Sequence, residues 1–548
     1  MSASRRRFVQ GMAGLSLFGL GCRPRSRSSG HADTLILGRI HTLTPGINPD
    51  ALAIREGVIQ AIGRADELAE LRGPATRVIE LGEGAALPGL TDAHAHLIGL
   101  GQSREVVDLR GAASLAEVVQ RLRDAAPREG WIVGRGWDQN LWGGAMPTRA
   151  VLDEAFGERP VWLRRVDGHA GWANGPTLEL AGIDAGSVAP EGGEILRDER
   201  GQPTGVLIDA AMDRIPEPTP SEADVARWAD AATREAARNG LVGVHEMGMD
   251  AAAADAFARL ETLPIRVFGY AGEAWWKAGM PGWNPSAATG RFTIEGVKIY
   301  VDGALGSRGA ALIEPYADRP DHRGLLLHER EYFVELVTDL LERGMQPAAH
   351  AIGDLANQTI LAAYAEADAR VPERGDRRMR IEHAQILDLA DIPRMAELGV
   401  IASMQPTHAT SDMPWVPDRI GSSRLAGAYA WRRLLDAGVP LAFGSDFPVE
   451  QVSPLLGLHA AVTRQDRAGQ PEGGWLPDQR LSLAEAIAAF SSGAAWAVSR
   501  ERELGRLEVG YAADLTLLDR DPFAVDPSEL LELGVRATIV AGQVVFEG

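Results

Sequence analysis

Eight apolar runs that end in polar or glycine residues constrain the fold of this chain more than any other feature of its sequence. Helical patterns, for example over residues 330–343 and 389–398, stand between most of these runs. Strands that alternate with helices predict βα units and a parallel sheet, and eight of them predict a closed (β/α)₈ TIM barrel, which is an α/β fold. The predicted strands are residues 87–96, 241–247, 265–271, 297–303, 345–351, 379–385, 400–406 and 440–448.

Other segments attach to this barrel, which we place at residues 87–504. About 140 residues separate the first strand from the second, far more than an ordinary βα connection, so we interpret roughly residues 98–238 as an inserted subdomain. Short strand patterns occur in residues 32–86 and again in residues 505–548. Either set alone would make a marginal sheet. We therefore expect the two ends of the chain to pair into one small β-sandwich.

Residues 1–31 have the pattern of an export signal followed by a tether. Arg5, Arg6 and Arg7 precede an uncharged run over residues 11–21, which is too short to span a membrane but suits a signal peptide. The pattern predicts export by the twin-arginine route and a periplasmic or other extracytoplasmic location. Cys22 closes the run in a sequence that resembles a lipobox, so it is a candidate lipidation site and membrane anchor. The alternative is cleavage elsewhere, with Cys22 removed.

Charge and cysteine content exclude several classes of function. The formal net charge of −20 repels phosphate backbones, so we expect a small-molecule substrate and no nucleic-acid partner. A single cysteine excludes both an intramolecular disulfide framework and a zinc site with several cysteine ligands. The sequence predicts no oligomeric state.

Metal-binding residue types follow five of the predicted strands. In a TIM barrel the active site gathers at these carboxyl ends, and alternate side chains on one strand share a face. One such histidine or aspartate alone is more typical of a buried core histidine or a turn-capping aspartate, but all of them together favour a metal centre. The residues are Asp92, His94 and His96 after the first strand, Lys298 at the fourth, His350 at the fifth, His383 at the sixth and Asp446 at the eighth.

The lysine on the fourth strand is unusual in this chain. Lys277 and Lys298 are its only lysines, and the other basic residues are all arginine. A buried amine with a lowered pKa can add carbon dioxide and become an anionic carbamate ligand, whereas a guanidinium stays protonated. The alternative is an ion pair between Lys298 and Asp302, four residues further on.

Five motifs and a closing G-x-L-x-V-G-Y-x-A-D-L stretch carry a family resemblance: PGLTDAHAH, VKIYVDGALGSRGA, HAIGD, RIEHAQ and FGSDFPVE. Together they resemble the amidohydrolase superfamily, specifically the amidohydrolase family 3 or N-substituted formamide deformylase-like branch. This resemblance implies two divalent metal ions, with zinc the expected metal. It places His94, His96 and Asp446 on the more buried metal and His350 and His383 on the second. The carbamate of Lys298 would bridge the two.

The same resemblance assigns roles around the metals. A hydroxide shared by two metals would attack the substrate, and Asp446 would act as the general acid and base. Asp92, His245 and Asp302 are candidates to orient the ligands, although His245 is equally typical of a core histidine. In the insert, we expect Trp137, Asp138 and His169 to contact the substrate. The insert's tryptophans would alternatively form its own core.

The favoured function is hydrolysis of a non-peptide carbon–nitrogen bond in an amide, N-acyl amine or N-formyl amine. A cyclic amide or lactone hydrolase or a deaminase is the alternative enzyme, although mononuclear deaminases generally lack the bridging lysine. An exported metal-binding or ligand-binding lipoprotein is the alternative of another class. A decayed site would be expected to lose a ligand, and all six positions are filled here.

Overall fold

A computed structural model describes residues 30–44, 46, 48–125, 130–217, 219–283, 290–371 and 375–548. The predicted export signal and Cys22 lie outside these described residues. No helix in the described ranges is both long enough and apolar enough to cross a membrane.

The strands form three sheets. In chain order they are β1 Thr34–Ile40, β2 Ala51–Arg55, β3 Val58–Gly63, β4 Arg77–Pro88, β5 Leu90–Ala95, β6 Val107–Asp108, β7 Ile132–Trp137, β8 Val161–Arg165, β9 Ala170–Ala173, β10 Gly193–Arg197, β11 Pro203–Asp209, β12 Leu241–Met249, β13 Arg266–Gly272, β14 Phe292–Tyr300, β15 Gln346–Ala351, β16 Arg380–His383, β17 Ile401–Met404, β18 Leu441–Phe443, β19 Leu515–Leu518, β20 Val535–Val540 and β21 Gln543–Glu547.

Helices cover the barrel and connect the sheets. The α-helices of the described residues are Ala65–Leu68, Leu97–Ser103, Leu115–Ala125, Arg149–Phe156, Gly175–Leu180, Glu222–Arg238, Ala251–Arg259, Glu273–Lys277, Arg330–Glu342, Asp354–Arg370, Asp391–Leu398, Pro406–Asp412, Val416–Ile420, Trp431–Asp436, Pro454–Thr463, Leu483–Ala488 and Ala494–Ala497.

The predicted TIM barrel is confirmed. Its eight parallel strands are ordered β18-β17-β16-β15-β14-β13-β12-β5, and each overlaps one of the predicted runs. The fourth, β14, begins five residues before the run predicted at 297–303. Two backbone hydrogen bonds join the ends of this sheet, from Asp446 N to His94 O and from His96 N to Phe447 O, each 2.8 Å long. The barrel is therefore closed beside its predicted metal ligands. Burial on both faces explains why these strands are almost continuously apolar.

The insert folds as a second sheet of six strands, ordered β10-β11-β9-β8-β7-β6. It lies within the predicted range of about 98–238. The last part of that range returns to the barrel, because helix Glu222–Arg238 packs against helix Leu97–Ser103 and contributes to the core of the barrel. A capping box of Ser221 and Asp224 begins this helix.

The two ends of the chain pair into one seven-stranded sheet, ordered β21-β20-β19-β4-β1-β2-β3. The sheet bends back on itself. Ile59, on the edge strand β3, exchanges backbone hydrogen bonds with Gly510 and Tyr511, which lie shortly before β19. Apolar side chains from both ends, among them Ile36, Leu515 and Ile539, pack together in its core. Neither end could bury this face alone.

Candidate metal centre

The barrel brings the predicted ligands together at the carboxyl ends of its strands. Two of them, His383 at the end of β16 and Asp446 after β18, have left-handed backbone conformations with φ of 72° and 61°. Non-glycine residues rarely adopt this region, and they persist there only where the surrounding structure holds them. The local backbone is thus bent where the chain turns these two side chains into the site.

The described residues contain one compact cluster of potential ligand atoms, from His94, His383 and Asp446, which lie within 4.8 Å of one another. Asp446 Oδ1 is 3.6 Å from His94 Nε2 and 3.1 Å from His96 Nε2. This oxygen is buried and makes no hydrogen bond of acceptable geometry with the described residues. Imidazole nitrogens that converge on such a carboxylate oxygen form a donor set that fits a divalent metal ion.

Three of the candidate ligand histidines make a hydrogen bond between Nδ1 and an oxygen atom. His94 Nδ1 is 2.6 Å from Glu382 Oε2, His96 Nδ1 is 3.0 Å from the Met247 carbonyl, and His383 Nδ1 is 2.8 Å from Gln405 Oε1. An acceptor at Nδ1 fixes the proton there and leaves the Nε2 lone pair for a metal. The three rings are thus oriented so that Nε2 is available to a metal ion.

His350 is held differently. Its ring lies 4.6 Å from the His383 ring, and its Nε2 is 3.5 Å from the Gly303 carbonyl and 3.7 Å from Asp302 Oδ1. Nδ1 is therefore the His350 atom that is available to bind a metal ion. Burial lowers the pKa of His350 well below its ordinary value, so the ring is neutral, as a ligand must be.

Lys298 is buried in the same cluster, with Nζ 3.3 Å from His94 Nε2. No carboxylate oxygen of the described residues lies within 4.0 Å of this amine. Burial lowers the pKa of Lys298 to about 8. The structure does not contain the alternative ion pair with Asp302, whose carboxylate instead accepts backbone hydrogen bonds from Ala311, Ile352 and Gly353.

Asp92 joins the first barrel strand to the last. Its carboxylate accepts hydrogen bonds from the backbone of His94 and from both the backbone and the hydroxyl of Ser445. Asp446 is the residue after Ser445, so Asp92 fixes the turn that carries this candidate ligand. Burial raises the pKa of Asp92 to about 7.

A buried ion pair that the sequence analysis missed supports His94. Arg380 Nε donates to Glu382 Oε1 at 2.7 Å, and Arg380 also contacts His245 Nδ1 at 2.8 Å. His245 is thus a core residue that reaches the site only through Arg380 and Glu382. The sequence carries one signal for this ion pair. Arg380 and Glu382 are two residues apart on one predicted strand, so their side chains share one face.

Of the predicted insert residues, His169 and Asp138 line the cavity above the cluster and Trp137 does not. Trp137 is completely buried, packs against Trp172 in the core of the insert and donates from Nε1 to the Leu163 carbonyl. The predicted substrate contact of Trp137 is therefore corrected to a structural role. Asp138 accepts a 2.6 Å hydrogen bond from Arg165.

His169 faces the site, with its ring centroid 5.0 Å from that of His350. Its Nδ1 lies 2.6 Å from Asp209 Oδ1. Burial disfavours the imidazolium, but the Asp209 carboxylate outweighs that effect and raises the pKa of His169 to about 9. A positively charged imidazole therefore stands beside the metal ligands at neutral pH.

The cavity that contains these residues has a volume of about 1050 Å³. None of the six tryptophans in residues 98–238 lines it, and charged side chains dominate its wall on the insert side, including Arg110, Arg135, Arg164 and Asp167. The structure agrees with the alternative that the insert's tryptophans pack in its own core. Since the insert sheet is small, its large aromatic side chains fill its own core instead.

A closed barrel whose strand ends carry four histidines, an aspartate and a buried lysine defines a metal-dependent hydrolase. The sequence matches the amidohydrolase family over residues 77–546, which is most of the chain. YtcJ of Bacillus subtilis is 35% identical, and the match covers 93% of this chain and 98% of YtcJ. The chain therefore belongs to the amidohydrolase family.

Two further comparisons agree with this assignment. The N-substituted formamide deformylase of Arthrobacter pascens is 29% identical, with 91% of this chain and 95% of the deformylase covered. An uncharacterised metal-dependent hydrolase of Pyrococcus horikoshii has a solved structure that matches with a TM-score of 0.73 and 31% identity, covering 90% of this chain and 99% of that one.

Proposed function

We propose that this chain hydrolyses a non-peptide carbon–nitrogen bond in an N-acyl or N-formyl amine. In this proposal His94, His96 and Asp446 hold one divalent metal ion, His350 and His383 hold a second, and Lys298 bridges them as its carbamate. The observation that carries the proposal is the convergence of preoriented Nε2 atoms on the Asp446 carboxylate at the strand ends. The name of the formamide deformylase relative supports the choice of bond.

Bound metal ions would polarise the substrate carbonyl and lower the pKa of a water molecule. Asp446 would move the proton. The neighbouring imidazoles, His96 first, outweigh the effect of burial and hold the pKa of Asp446 well below its usual value, so it is a carboxylate that can accept a proton from water. As the carbon–oxygen bond forms and the carbon–nitrogen bond breaks, Asp446 gives that proton to the leaving nitrogen.

His169 would stabilise the substrate's oxygen. Its imidazolium, held by Asp209, lines the cavity beside His350. A fixed positive donor is worth most where negative charge develops in the transition state, which for an amide is the carbonyl oxygen. His408 is a further polar group in this cavity, and its Nε2 atom is 3.7 Å from Asp446 Oδ2.

The proposal is tested by screening the purified, metal-loaded protein against linear N-formyl and N-acyl amines, a cyclic amide, a lactone and an aromatic amine that deamination would convert. We expect hydrolysis of linear amides. Asp446→Asn should lower turnover by about 10²–10⁴-fold, the size of a lost general acid–base group. Turnover confined to the cyclic compounds or to the amine would reject the proposed reaction, and near-normal turnover of Asp446→Asn would reject the role of Asp446.

A further inference from the structure

Arg135 is a cavity-lining cation that has no partner among the described residues. Four arginines of the described chain line the cavity. Arg110 pairs with Asp108, Arg164 with Glu217, and Arg165 with Asp138 and Asp167. The guanidinium of Arg135 makes no hydrogen bond to any described residue and has no carboxylate of the described chain within 4.0 Å.

The strand register explains why no described residue pairs with the guanidinium of Arg135. On the insert sheet, Arg135 of β7 lies between Asp108 of β6 and Arg164 of β8, and neighbours in register share a face of the sheet. Asp108 would be the natural partner, but it accepts hydrogen bonds from Arg110 Nε and Nη2 at 2.9 and 2.7 Å. Neither neighbour is thus available to Arg135, because Asp108 is bound to Arg110 and Arg164 is bound to Glu217.

Arg135 places its positive charge in the wall of the cavity that contains the candidate metal centre. Burial lowers the pKa of Arg135 to about 10, and the Asp446 carboxylate is the strongest opposing charge that acts on it. The group is therefore a cation at neutral pH, partly exposed and lining the cavity that holds the candidate metal ligands. A guanidinium in such a place is available to pair with an anionic group of a bound molecule.

We propose that Arg135 binds a carboxylate group of the substrate, so that the substrates are N-acyl or N-formyl amines that carry a carboxylate, as N-acyl amino acids do. This inference rests on the proposed hydrolysis. The planar fork of a guanidinium matches a carboxylate through two parallel hydrogen bonds. A singly charged anion suits this cavity better than a phosphate dianion because acidic residues such as Asp167 and Glu450 also line it.

The test uses two substrates that differ only in the carboxylate, N-formylphenylalanine and N-formylphenethylamine. We expect kcat/KM of the metal-loaded enzyme to be about tenfold to hundredfold higher for the acid, the size of a charge-assisted interaction. Arg135→Gln should bring the ratio of kcat/KM for the acid to kcat/KM for the neutral amide down to about one. Arg164→Gln is the matched control, since the Arg164 guanidinium is already bound to Glu217, and it should keep the preference.

The outcomes separate this inference from the proposed function. If both compounds are hydrolysed without preference, or if Arg135→Gln keeps the preference, the inference is overturned while the hydrolysis stands. If neither is hydrolysed, calorimetric binding of N-formylphenylalanine decides: about tenfold weaker binding to Arg135→Gln than to wild type supports the role of Arg135, and equal binding overturns it. Arg135→Lys, which keeps the charge without the fork, replaces Arg135→Gln if that variant does not fold, and should lose part of the preference.

Discussion

The Nδ1 atom of His94 lies 2.6 Å from Oε2 of Glu382, and both side chains are fully buried. Glu382 is in turn bound by Arg380 on β16, whose Nη2 atom also donates to the Ala93 carbonyl on β5, the first strand of the barrel. A ligand histidine is thus fixed through a carboxylate to an arginine that ties two non-adjacent strands of the barrel together. This arrangement links the stability of the barrel to the geometry of the metal centre.

Glu382→Gln should weaken metal binding by about 10–100-fold, because the ligand histidine loses the carboxylate that orients it. The variant should also be less stable by about 3–5 kcal/mol, since Arg380 keeps its buried charge without a carboxylate to balance it. Chelator competition measures the first effect and denaturant unfolding of metal-free protein the second. Glu295→Gln, a change on β14 outside the cavity, is the control. Wild-type metal affinity in Glu382→Gln would exclude this role.

Lys298→Arg should be as damaging as Lys298→Ala, although it conserves charge, because the proposed bridge between two metal cations must be an anion. Both variants should lose metal, mainly from the site of His350 and His383, as measured by metal analysis. Millimolar formate, acetate or propionate should restore part of the activity of Lys298→Ala by entering the space of the missing arm, and should not restore Lys298→Arg. Two bound metals and full activity in Lys298→Arg would exclude the carbamate.

Asp209→Asn should change the pH dependence of turnover. The pKa of His169 is raised to about 9, so its imidazolium is present below that pH and is lost as the pH rises through it. Without the Asp209 carboxylate, this loss should occur at lower pH, and the alkaline limb of the kcat/KM profile should move toward neutrality. Asp213→Asn, which removes another cavity carboxylate that does not contact His169, should leave the limb in place. An unchanged limb in Asp209→Asn would show that the charge on His169 is not used.

Export is a separate prediction. Replacing Arg5 and Arg6 by lysine should leave precursor in the cytoplasm if the twin-arginine route carries this protein, and cell fractionation measures it. Cys22→Ala should release the mature protein from membranes if Cys22 is lipidated. Normal export of the double lysine variant would contradict the first prediction, and continued membrane association of Cys22→Ala would contradict the second.

The barrel and the position of its candidate ligands were predictable because each of these residues lies in or just after an apolar run at a recognisable strand end. The role of Trp137 was not, since the sequence does not show whether a tryptophan of a small insert faces its own core or a neighbouring cavity. Arg380 and Glu382 lie inside a short buried strand, where a pair of charges is stable only because each satisfies the other. Arg135 depends on the register of three strands, which local sequence patterns do not specify.

The central claim is that the cluster at the strand ends binds metal and that this metal supports carbon–nitrogen bond hydrolysis. The most direct measurement titrates zinc into chelator-treated protein while the hydrolysis of a linear N-formyl amine is followed. The account predicts no turnover without metal, recovery that is complete at two equivalents, and loss of both binding and recovery in His94→Ala. Turnover by fully metal-free protein, or unchanged metal binding by His94→Ala, would contradict it.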